Sequence, residues 1–275
     1  MAFIWGSSFI LMKIGLKSFS SNDAAAIRIA SASLVLLPFA VKSFRNLKSK
    51  DIYYLLITGF IGSFIPAFLF TKAQTRIDSS LAGMLNSLTP VFTLVIGVVI
   101  FRVKTWWIQL AGLAMGLAGA MGLIASGDTL SFRGINSYAF LIIMATLCYG
   151  INVNVVKAKL THLKGIQISS LSFLFIGPFA GAYLLFSDFS SLTSNENWPV
   201  HLGALIILGV IGTGIALLLM YSLIRYTTGV FAASVTYIIP LFAILWGVLD
   251  GETISLFHLF SMLILLLGIY LINRK

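Results

Sequence analysis

The chain has 275 residues, of which 59% are hydrophobic and only 9% are charged, and its formal net charge is +10. Soluble domains carry about 25% charged residues, so this composition excludes a water-soluble globule and indicates a protein that lies mostly in lipid. In a membrane protein, the basic excess indicates Lys and Arg on cytoplasmic loops and not a nucleic-acid partner.

Ten apolar runs follow one another along the chain, each near the roughly 20 residues that a helix needs to cross a bilayer. Charges and turn-forming residues fall between the runs, and the alternation typical of β-barrel strands is absent from the sequence. The pattern predicts an all-α integral membrane protein with ten transmembrane helices, and we expect it to be a monomer. The runs are about 1–17, 24–43, 52–72, 80–100, 106–124, 138–157, 166–187, 201–223, 230–249 and 255–273.

The distribution of basic residues predicts the orientation of these helices. If the N-terminus is cytoplasmic, twelve of the eighteen Lys and Arg residues, Arg45 and Lys275 among them, fall on the cytoplasmic side. The other six, including Arg133, fall on the opposite side with seven of the eight acidic residues. Short basic loops stay in the cytoplasm. We therefore predict a multi-pass protein of the cell (plasma or inner) membrane with both termini in the cytoplasm.

The first and sixth apolar runs share a pattern. "WGSSFILMK" at 5–13 and "YGINVNVVK" at 149–157 match in an aromatic residue, a glycine and a lysine at an offset of 144. Further on the offset becomes 150, and ten of 44 positions are identical between 59–102 and 209–252. This register predicts two five-helix repeats, residues 1–124 and 138–275. Because five is odd, the second repeat must insert upside down, as in many secondary transporters.

The same register makes a prediction about the first helix. It places the start of that helix about six residues before Met1, so we expect the helix to be incomplete in this sequence. Trp5 and Gly6 then lie near the middle of the membrane, and Lys13 lies at the helix end. We expect the ammonium of Lys13 to snorkel to water. A signal peptide would carry its charge before the apolar run and not after it.

Prolines and polar side chains within the predicted helices are candidates for a substrate cavity. Pro90 and Pro240, our helix-kink candidates, leave the carbonyls of Asn86 and Thr236 without an N–H partner. Such a carbonyl either lines a cavity or bonds a nearby Ser or Thr. The substrate-cavity candidates are Trp5, Ser8, Asn86, Ser87, Tyr149, Asn152, Thr236 and Tyr237. For the polar residues of the first and sixth helices, hydrogen bonding between helices is the alternative.

Arg28 and several glycines have two interpretations each. Arg28, near the outer end of the second helix, either snorkels to the interface or guards a substrate path. The glycines of "GFIGSFI" at 59 and "GVIGTGI" at 209 make two helices slim, for close packing or for a smooth cavity wall. Gly112 and Gly116 have the spacing of a helix-packing face.

Several of these segments together resemble the EamA family of the drug/metabolite transporter superfamily. They are "WGSSFILMKIG", the Arg of the second helix, "LTPVFTLVIGVVIF", "IIPLFAILWGVLDGE" and the glycine-bearing last helix of each half. The resemblance implies ten helices in two inverted halves, cytoplasmic termini and export of small metabolites. It also implies a central cavity lined by helices one, three, four, six, eight and nine, with the other four outside. The chain departs from the family at one position. Members often have an acidic residue after the fourth helix, as this chain has Glu252 after the ninth, but here the fourth helix is followed by Arg102.

These observations favour a secondary transporter that exports amino acids or similar small metabolites by alternating access. The alternatives are an intramembrane enzyme and a non-transporting scaffold or channel. An enzyme needs a nucleophile–base pair, a carboxylate pair or a metal cluster at depth, and the sequence contains none. The single Cys148 and three isolated histidines give no metal site, so we predict no enzymatic activity, no cofactor and no metal. No predicted helix contains Asp or Glu, which favours uniport over carboxylate-based proton antiport. The expected partners are the lipid bilayer and a small-molecule substrate.

Overall fold

The computed structural model describes residues 1–44, 47–125, 137–190 and 195–274. Arg45, Arg133 and Lys275, three of the basic residues used to predict the orientation, lie outside the described residues. Within these ranges the regular structure is entirely helical. Each predicted apolar run contains one helical segment, and several helices extend a few residues beyond the run.

The first helix, α1 (Ala2–Gly15), is apolar but has only 14 residues. At 1.5 Å per residue it is about 21 Å long, shorter than the roughly 30 Å hydrocarbon core. Nine further helices of the described ranges are long and apolar enough to cross a membrane. They are α2 (Ser21–Phe44), α3 (Ser49–Ala73), α4 (Ser79–Val99), α5 (Trp107–Ala125), α6 (Tyr138–Leu160), α7 (Gly165–Leu185), α8 (Trp198–Tyr226), α9 (Gly229–Leu249) and α10 (Leu256–Asn273).

Three of these helices contain a widened, π-helical stretch. The stretches are Phe60–Phe64 in α3, Val156–Leu160 in α6 and Leu208–Ile215 in α8. Those of α3 and α8 coincide with the glycine-rich segments at 59 and 209, which correspond in the repeat register. π-Helical turns are rare and frequently mark functional sites. Both glycine-rich segments are therefore candidates for functional positions.

The helices α4 and α9 are interrupted just before their prolines. The first part of α4 is Ser79–Asn86 and the second is Thr89–Val99. In α9 a 3-10 turn, Ser234–Ile238, precedes Ile239–Leu249. Pro90 and Pro240 thus lie in the first turn of a new helix. A missing N–H breaks no hydrogen bond at that position.

Neighbouring hydroxyls bond the two carbonyls that the prolines leave free. The carbonyl of Asn86 accepts a hydrogen bond from Thr89 Oγ1 at 2.8 Å. The carbonyl of Thr236 accepts one from Ser87 Oγ at 3.2 Å, which also ties α4 to α9. Of the two interpretations open for these carbonyls, this arrangement corresponds to hydroxyl bonding. The carbonyl groups that are left free at the helix breaks are therefore hydrogen-bonded within the protein.

The helices pack in corresponding pairs. The helix α2 packs against α7, α4 against α9, and α5 against α10. In addition α1 packs against α8 and α9, and α6 packs against α3 and α4. Exchanging the first five helices with the last five turns each of these contacts into another one of the same set.

The pair α5–α10 is held by close backbone approach. A Cβ added at Gly112 would lie 2.5 Å from the carbonyl oxygen of Gly268, and one added at Gly268 would lie 2.4 Å from the backbone nitrogen of Gly116. Only glycine fits at such a distance. Gly112 and Gly116 therefore form a packing face against α10.

Candidate functional site

A cavity lies among α1, α2, α3, α4, α6, α8 and α9, and its empty space, including the mouth, is ≈ 860 Å³. Five of the seven helices contribute several residues each, and α2 and α9 contribute one each. The cavity is mostly apolar with a few polar groups, as small-molecule sites usually are. Its wall consists of Trp5, Ser8, Phe9, Met12, Arg28, Gly62, Ser63, Phe70, Asn86, Thr89, Tyr149, Asn152, Val153, Gly212, Thr213, Leu217, Met220, Tyr221, Ile224 and Thr236.

Most of the residues proposed from sequence lie on this wall. They are Trp5, Ser8, Arg28, Asn86, Tyr149, Asn152 and Thr236. The expectation that α2 stands outside the cavity is wrong, because Arg28 brings this helix into the wall. Among the described residues, α5, α7 and α10 contribute nothing to it.

Four of the proposed residues lie elsewhere. Ser87 is fully buried and its hydroxyl bonds the carbonyl of Thr236. The hydroxyl of Tyr237 donates to the carbonyl of Ile269 in α10 at 2.8 Å and accepts a hydrogen bond from Asn273. Pro90 and Pro240 are buried and are not among the wall residues. Ser87 and Tyr237 thus connect helices, and none of the four residues belongs to the wall.

Sequence reasoning missed other residues of the wall. Tyr221 of α8 was not among the candidates, although it lies eight residues after Thr213 of the glycine-rich segment that the sequence offered as a possible cavity wall. This is a spacing of residues on one helix face, and it would have been a usable signal. Apolar residues such as Met12 and Phe70 gave no signal, because nothing distinguishes them from residues that face lipid.

Arg28 faces the cavity and not the membrane surface. It is 9% exposed, and its Nε donates to Thr213 Oγ1 at 2.6 Å. Its guanidinium also interacts with the hydroxyl of Tyr149. Thr213 in turn donates to the carbonyl of Leu208 at 3.2 Å, within the π-helical stretch of α8. Arg28 thus links α2 to α8 and α6 across the cavity.

Two glycines admit polar side chains to the same wall. Asn152 Nδ2 donates to the hydroxyl of Tyr221 at 3.3 Å, while its buried Oδ1 has no partner in the described part of the chain. A Cβ added at Gly62 would lie 2.4 Å from Asn152 Cγ. Likewise a Cβ added at Gly212 would lie 2.8 Å from Ser8 Oγ. Glycine at both positions therefore allows close packing and a polar wall together.

One end of the bundle carries a charge cluster, formed by Lys13, Asp250 and Glu252. Lys13 Nζ lies 2.6 Å from Asp250 Oδ2 and 2.8 Å from Glu252 Oε1. Glu252 also accepts the backbone N–H groups of Ser79 and Ser80 at 2.9 Å each. The carboxylate thus caps the N-terminus of α4, where negative charge is favourable. The Lys13 side chain is 31% exposed, in line with the predicted position at the helix end, and its ammonium is also paired with two carboxylates.

The surroundings of Glu252 act on its pKa in opposite directions. Burial raises the pKa of this carboxyl, and the hydrogen bonds from Lys13, Ser80 and Ser79 lower it. The hydrogen bonds prevail, so the pKa of Glu252 lies below its ordinary value. Glu252 is therefore ionised at neutral pH and bonds α1 and α4 to the end of α9.

The corresponding positions at the other end of the bundle lack this arrangement. In the repeat register Glu252 corresponds to Arg102, and Lys13 corresponds to Lys157. Lys157 Nζ donates to the carbonyl of Ile224 at 3.1 Å. An arginine cannot accept hydrogen bonds at a helix N-terminus. The two ends of the bundle therefore differ in charge and in the way their helices are joined.

Comparison with known proteins identifies a family along almost the whole chain. The EamA-like transporter family matches residues 1–125 and 136–274. The uncharacterized inner membrane transporter YedA of Escherichia coli K12 is 28% identical, and the match covers 99% of this chain and 90% of that protein. An uncharacterized transporter of Archaeoglobus fulgidus is 23% identical over 98% of this chain and 95% of its own length.

Two further similarities are more limited. A probable terminal-alkyne amino-acid exporter of Streptantibioticus cattleyicolor is 21% identical over 60% of this chain and 55% of that protein. A protein of known crystal structure is 16% identical and covers 99% of this chain and 96% of its own, with a TM-score of 0.64. At this identity the structural similarity shows a shared fold.

Proposed function

Because this chain belongs to the EamA-like transporter family, we propose that it is a transmembrane transporter that exports amino acids or similar small metabolites by alternating access. The observation that carries the proposal is the central cavity, whose polar groups converge from seven helices within an apolar wall. Such concave, mostly apolar sites are typical of small-molecule binding.

The proposed architecture consists of two inverted repeats, residues 1–124 and 138–275, with α1 as a tenth crossing. The packing of α1 on α8 and α9, matched by that of α6 on α3 and α4, supports it. The π-helical stretches of α3 and α8 and the breaks of α4 and α9 also recur at corresponding positions. In transporters built this way the substrate site lies near the midplane between the repeats.

The chemistry of the wall supports a small amphipathic substrate. Phe9, Phe70 and Met220 offer apolar surface to a hydrophobic body, while Arg28 and Asn152 offer polar contacts to a head group. The name of the Streptantibioticus relative, a probable amino-acid exporter, agrees with this class.

In the proposed mechanism the two repeats rock around a fixed site. The breaks in α4 and α9 are the points at which these helices bend, because backbone hydrogen bonds are already interrupted there. We propose both termini on the cytoplasmic side of the cell membrane, supported by the Lys and Arg bias of the loops. Facilitated export is preferred to proton coupling through a carboxylate, since no Asp or Glu is among the described wall residues.

The test is a screen of metabolites by thermal shift on the purified protein, followed by flux in liposomes. Binding at the cavity stabilises the folded protein by mass action, so substrates should raise the unfolding temperature. Compounds that raise the unfolding temperature should also cross the membrane of liposomes that contain the protein, and they should not cross the membrane of protein-free liposomes. A scaffold gives no substrate-dependent exchange, a channel gives flux without counterflow, and an enzyme returns altered compounds. Any of these results would overturn the proposal.

A further inference from the structure

The central cavity contains a buried positive charge. Arg28 is 9% exposed, and none of the ion pairs in the described ranges involves it. The described wall of the cavity includes no Asp or Glu. Arginine is not deprotonated in proteins, so Arg28 gives the cavity wall a charge of about +1. A buried charge without a counter-ion is unfavourable.

The two neighbours of Arg28 are neutral. Its Nε bonds the hydroxyl of Thr213, and its guanidinium interacts with the hydroxyl of Tyr149. Neutral hydroxyls orient a guanidinium but do not balance its charge. A carboxylate would do both, because its two oxygens accept parallel N–H bonds from the guanidinium fork.

A second polar group of the wall also lacks a partner. Asn152 is a residue of the cavity wall, and its Oδ1 is buried and accepts no hydrogen bond from any described residue. An amide oxygen accepts hydrogen bonds and cannot donate them. It therefore suits a substrate group that carries an N–H or O–H.

We infer that the cavity selects a monoanionic organic acid. The carboxylate of the substrate binds Arg28, a neutral hydrogen-bond donor binds Asn152, and the apolar body lies against Phe9, Phe70 and Met220. The inference rests on the proposed transport function and narrows its substrate class. It assigns to Arg28 the role of the residue that determines specificity for charge.

Charge balance then separates two kinds of acid. A monoanion makes the occupied cavity neutral. A zwitterionic amino acid leaves it with the charge of about +1, and its ammonium meets only neutral acceptors among the described wall residues. Because Coulomb energies are larger in a low-dielectric interior, this difference outweighs one added hydrogen bond. A monoanion should therefore bind more tightly than the amino acid of the same size.

The experiment compares four ligands with the same aromatic body and different head groups. They are 3-phenylpropanoate, phenylalanine, 3-phenylpropanamide and phenethylamine, and their affinities are measured by calorimetry on the full chain in detergent. We expect 3-phenylpropanoate to bind at least about tenfold more tightly than phenylalanine, which corresponds to about 1.4 kcal/mol. The neutral amide and the amine should be weaker still.

Two variants locate the preference at Arg28. In Arg28→Gln the preference for 3-phenylpropanoate over the amide should disappear. Asn152→Asp supplies the missing carboxylate, so that phenylalanine should now bind more tightly than 3-phenylpropanoate. The matched control is Arg225→Gln, since Arg225 lies over the ring of Tyr226 at the end of α8, outside the cavity wall.

Several results would overturn the inference. They are equal or tighter binding of phenylalanine by the unaltered protein, no binding of 3-phenylpropanoate up to ~10 mM, or an unchanged order in folded Arg28→Gln. If Arg28→Gln does not fold, an unchanged order in Asn152→Asp overturns it instead. Liposome flux of the same ligands separates this inference from the proposed function. Binding in the expected order without flux would overturn transport alone, and flux without preference for the anion would overturn the inference alone.

Discussion

Glu252 joins three helices at one end of the molecule, because it follows α9 and bonds α1 and α4. Its carboxylate receives hydrogen bonds from Lys13 of α1 and from the first backbone N–H groups of α4. Its side chain is only 3% exposed, so a lost bond is not simply replaced by one to water. The ion pair with Lys13 therefore differs from an exposed surface pair, which contributes little.

We expect Glu252→Gln to lower stability by roughly 1.5–3 kcal/mol, the range for hydrogen bonds to a charged group. The measurement is thermal unfolding of the purified protein, with tryptophan fluorescence as the signal. Glu196→Gln is the control, since Glu196 is exposed at the start of the segment before α8, and it should unfold like the unaltered protein. An equal effect of both changes would mean that loss of any acidic residue destabilises the protein.

The stabilisation by Glu252 should depend on pH in a defined direction. Its pKa is lower in the folded protein than its ordinary value of 4.5. The unfolded chain therefore binds the proton more readily, and stabilisation is complete above that value. It is lost as the pH falls from 4.5 through the lower pKa of the folded state. The difference in unfolding temperature between the unaltered protein and Glu252→Gln should be constant at neutral pH and should shrink below 4.5. A difference that does not change with pH would contradict this prediction.

At the scale of residues, sequence reasoning identified polar groups but not their partners. Seven of the proposed residues line the cavity, because polar side chains within apolar runs are conspicuous. Lys13 and Glu252 are 239 positions apart, and no local pattern connects them. Arg28 was ambiguous for a similar reason, since its direction depends on Thr213 of a distant helix. Pairings of this kind depend on helix packing, which a single sequence does not specify.

At the scale of helices, the glycines of α5 and α10 determine how closely two elements approach. We expect Gly268→Ala to destabilise the protein by about 1–3 kcal/mol, the usual cost of forcing added volume into a packed contact. The new Cβ would meet the backbone of Gly116 at 2.4 Å, and backbone cannot rotate away as a side chain can. Thermal unfolding in detergent measures the effect.

The control for this substitution is Gly181→Ala in α7, where a Cβ would meet nothing within 4 Å. Alanine is favoured over glycine in helices by about 1 kcal/mol, so this variant should be neutral or more stable. If Gly268→Ala is equally well tolerated, the close approach of α5 and α10 is not required for stability.

The breaks in α4 and α9 are the elements that the proposed mechanism needs most. Pro90→Ala restores an N–H that competes with Thr89 for the carbonyl of Asn86, and so favours a continuous α4. The protein should fold and bind ligand as before, while flux in liposomes becomes several-fold slower. Pro240→Ala should act in the same way on α9. Pro38→Ala is the control, because Pro38 lies in α2 at an exposed position away from any break. Unchanged flux in both variants would leave these prolines with a packing role.

The sequence predicted where these helices occur better than it predicted the irregular turns within them. Long apolar runs form helices because the backbone N–H and C=O groups find no water in the bilayer and must hydrogen-bond to one another. The prolines also marked where α4 and α9 change. The π-helical stretches of α3 and α8 were not predicted, since glycine-rich sequence favours close packing and irregular turns alike. In the structure these stretches lie against side chains of other helices, Gly62 against Asn152 and Gly212 against Ser8.

At the scale of the whole molecule, the two ends of the proposed repeat architecture differ chemically. One end is joined by Glu252, and the corresponding residue of the other half is Arg102. A basic residue there also fits a cytoplasmic end, where Lys and Arg are retained. The asymmetry therefore makes a prediction about the side of the membrane on which each end lies.

Single cysteines test this orientation after the native Cys148 has been replaced by alanine. Ser190, in the segment after α7, and Ser49, at the start of α3, are both exposed and lie at opposite ends of the proposed topology. We expect a membrane-impermeant maleimide to label Ser190→Cys in intact cells, and to label Ser49→Cys only after the cells are permeabilised. Equal labelling after permeabilisation is the control for accessibility, because it shows that both thiols can react. The reverse pattern would place the charge cluster of Lys13 and Glu252 in the cytoplasm, and transport out of the cell would then have to begin at the end that the cluster joins.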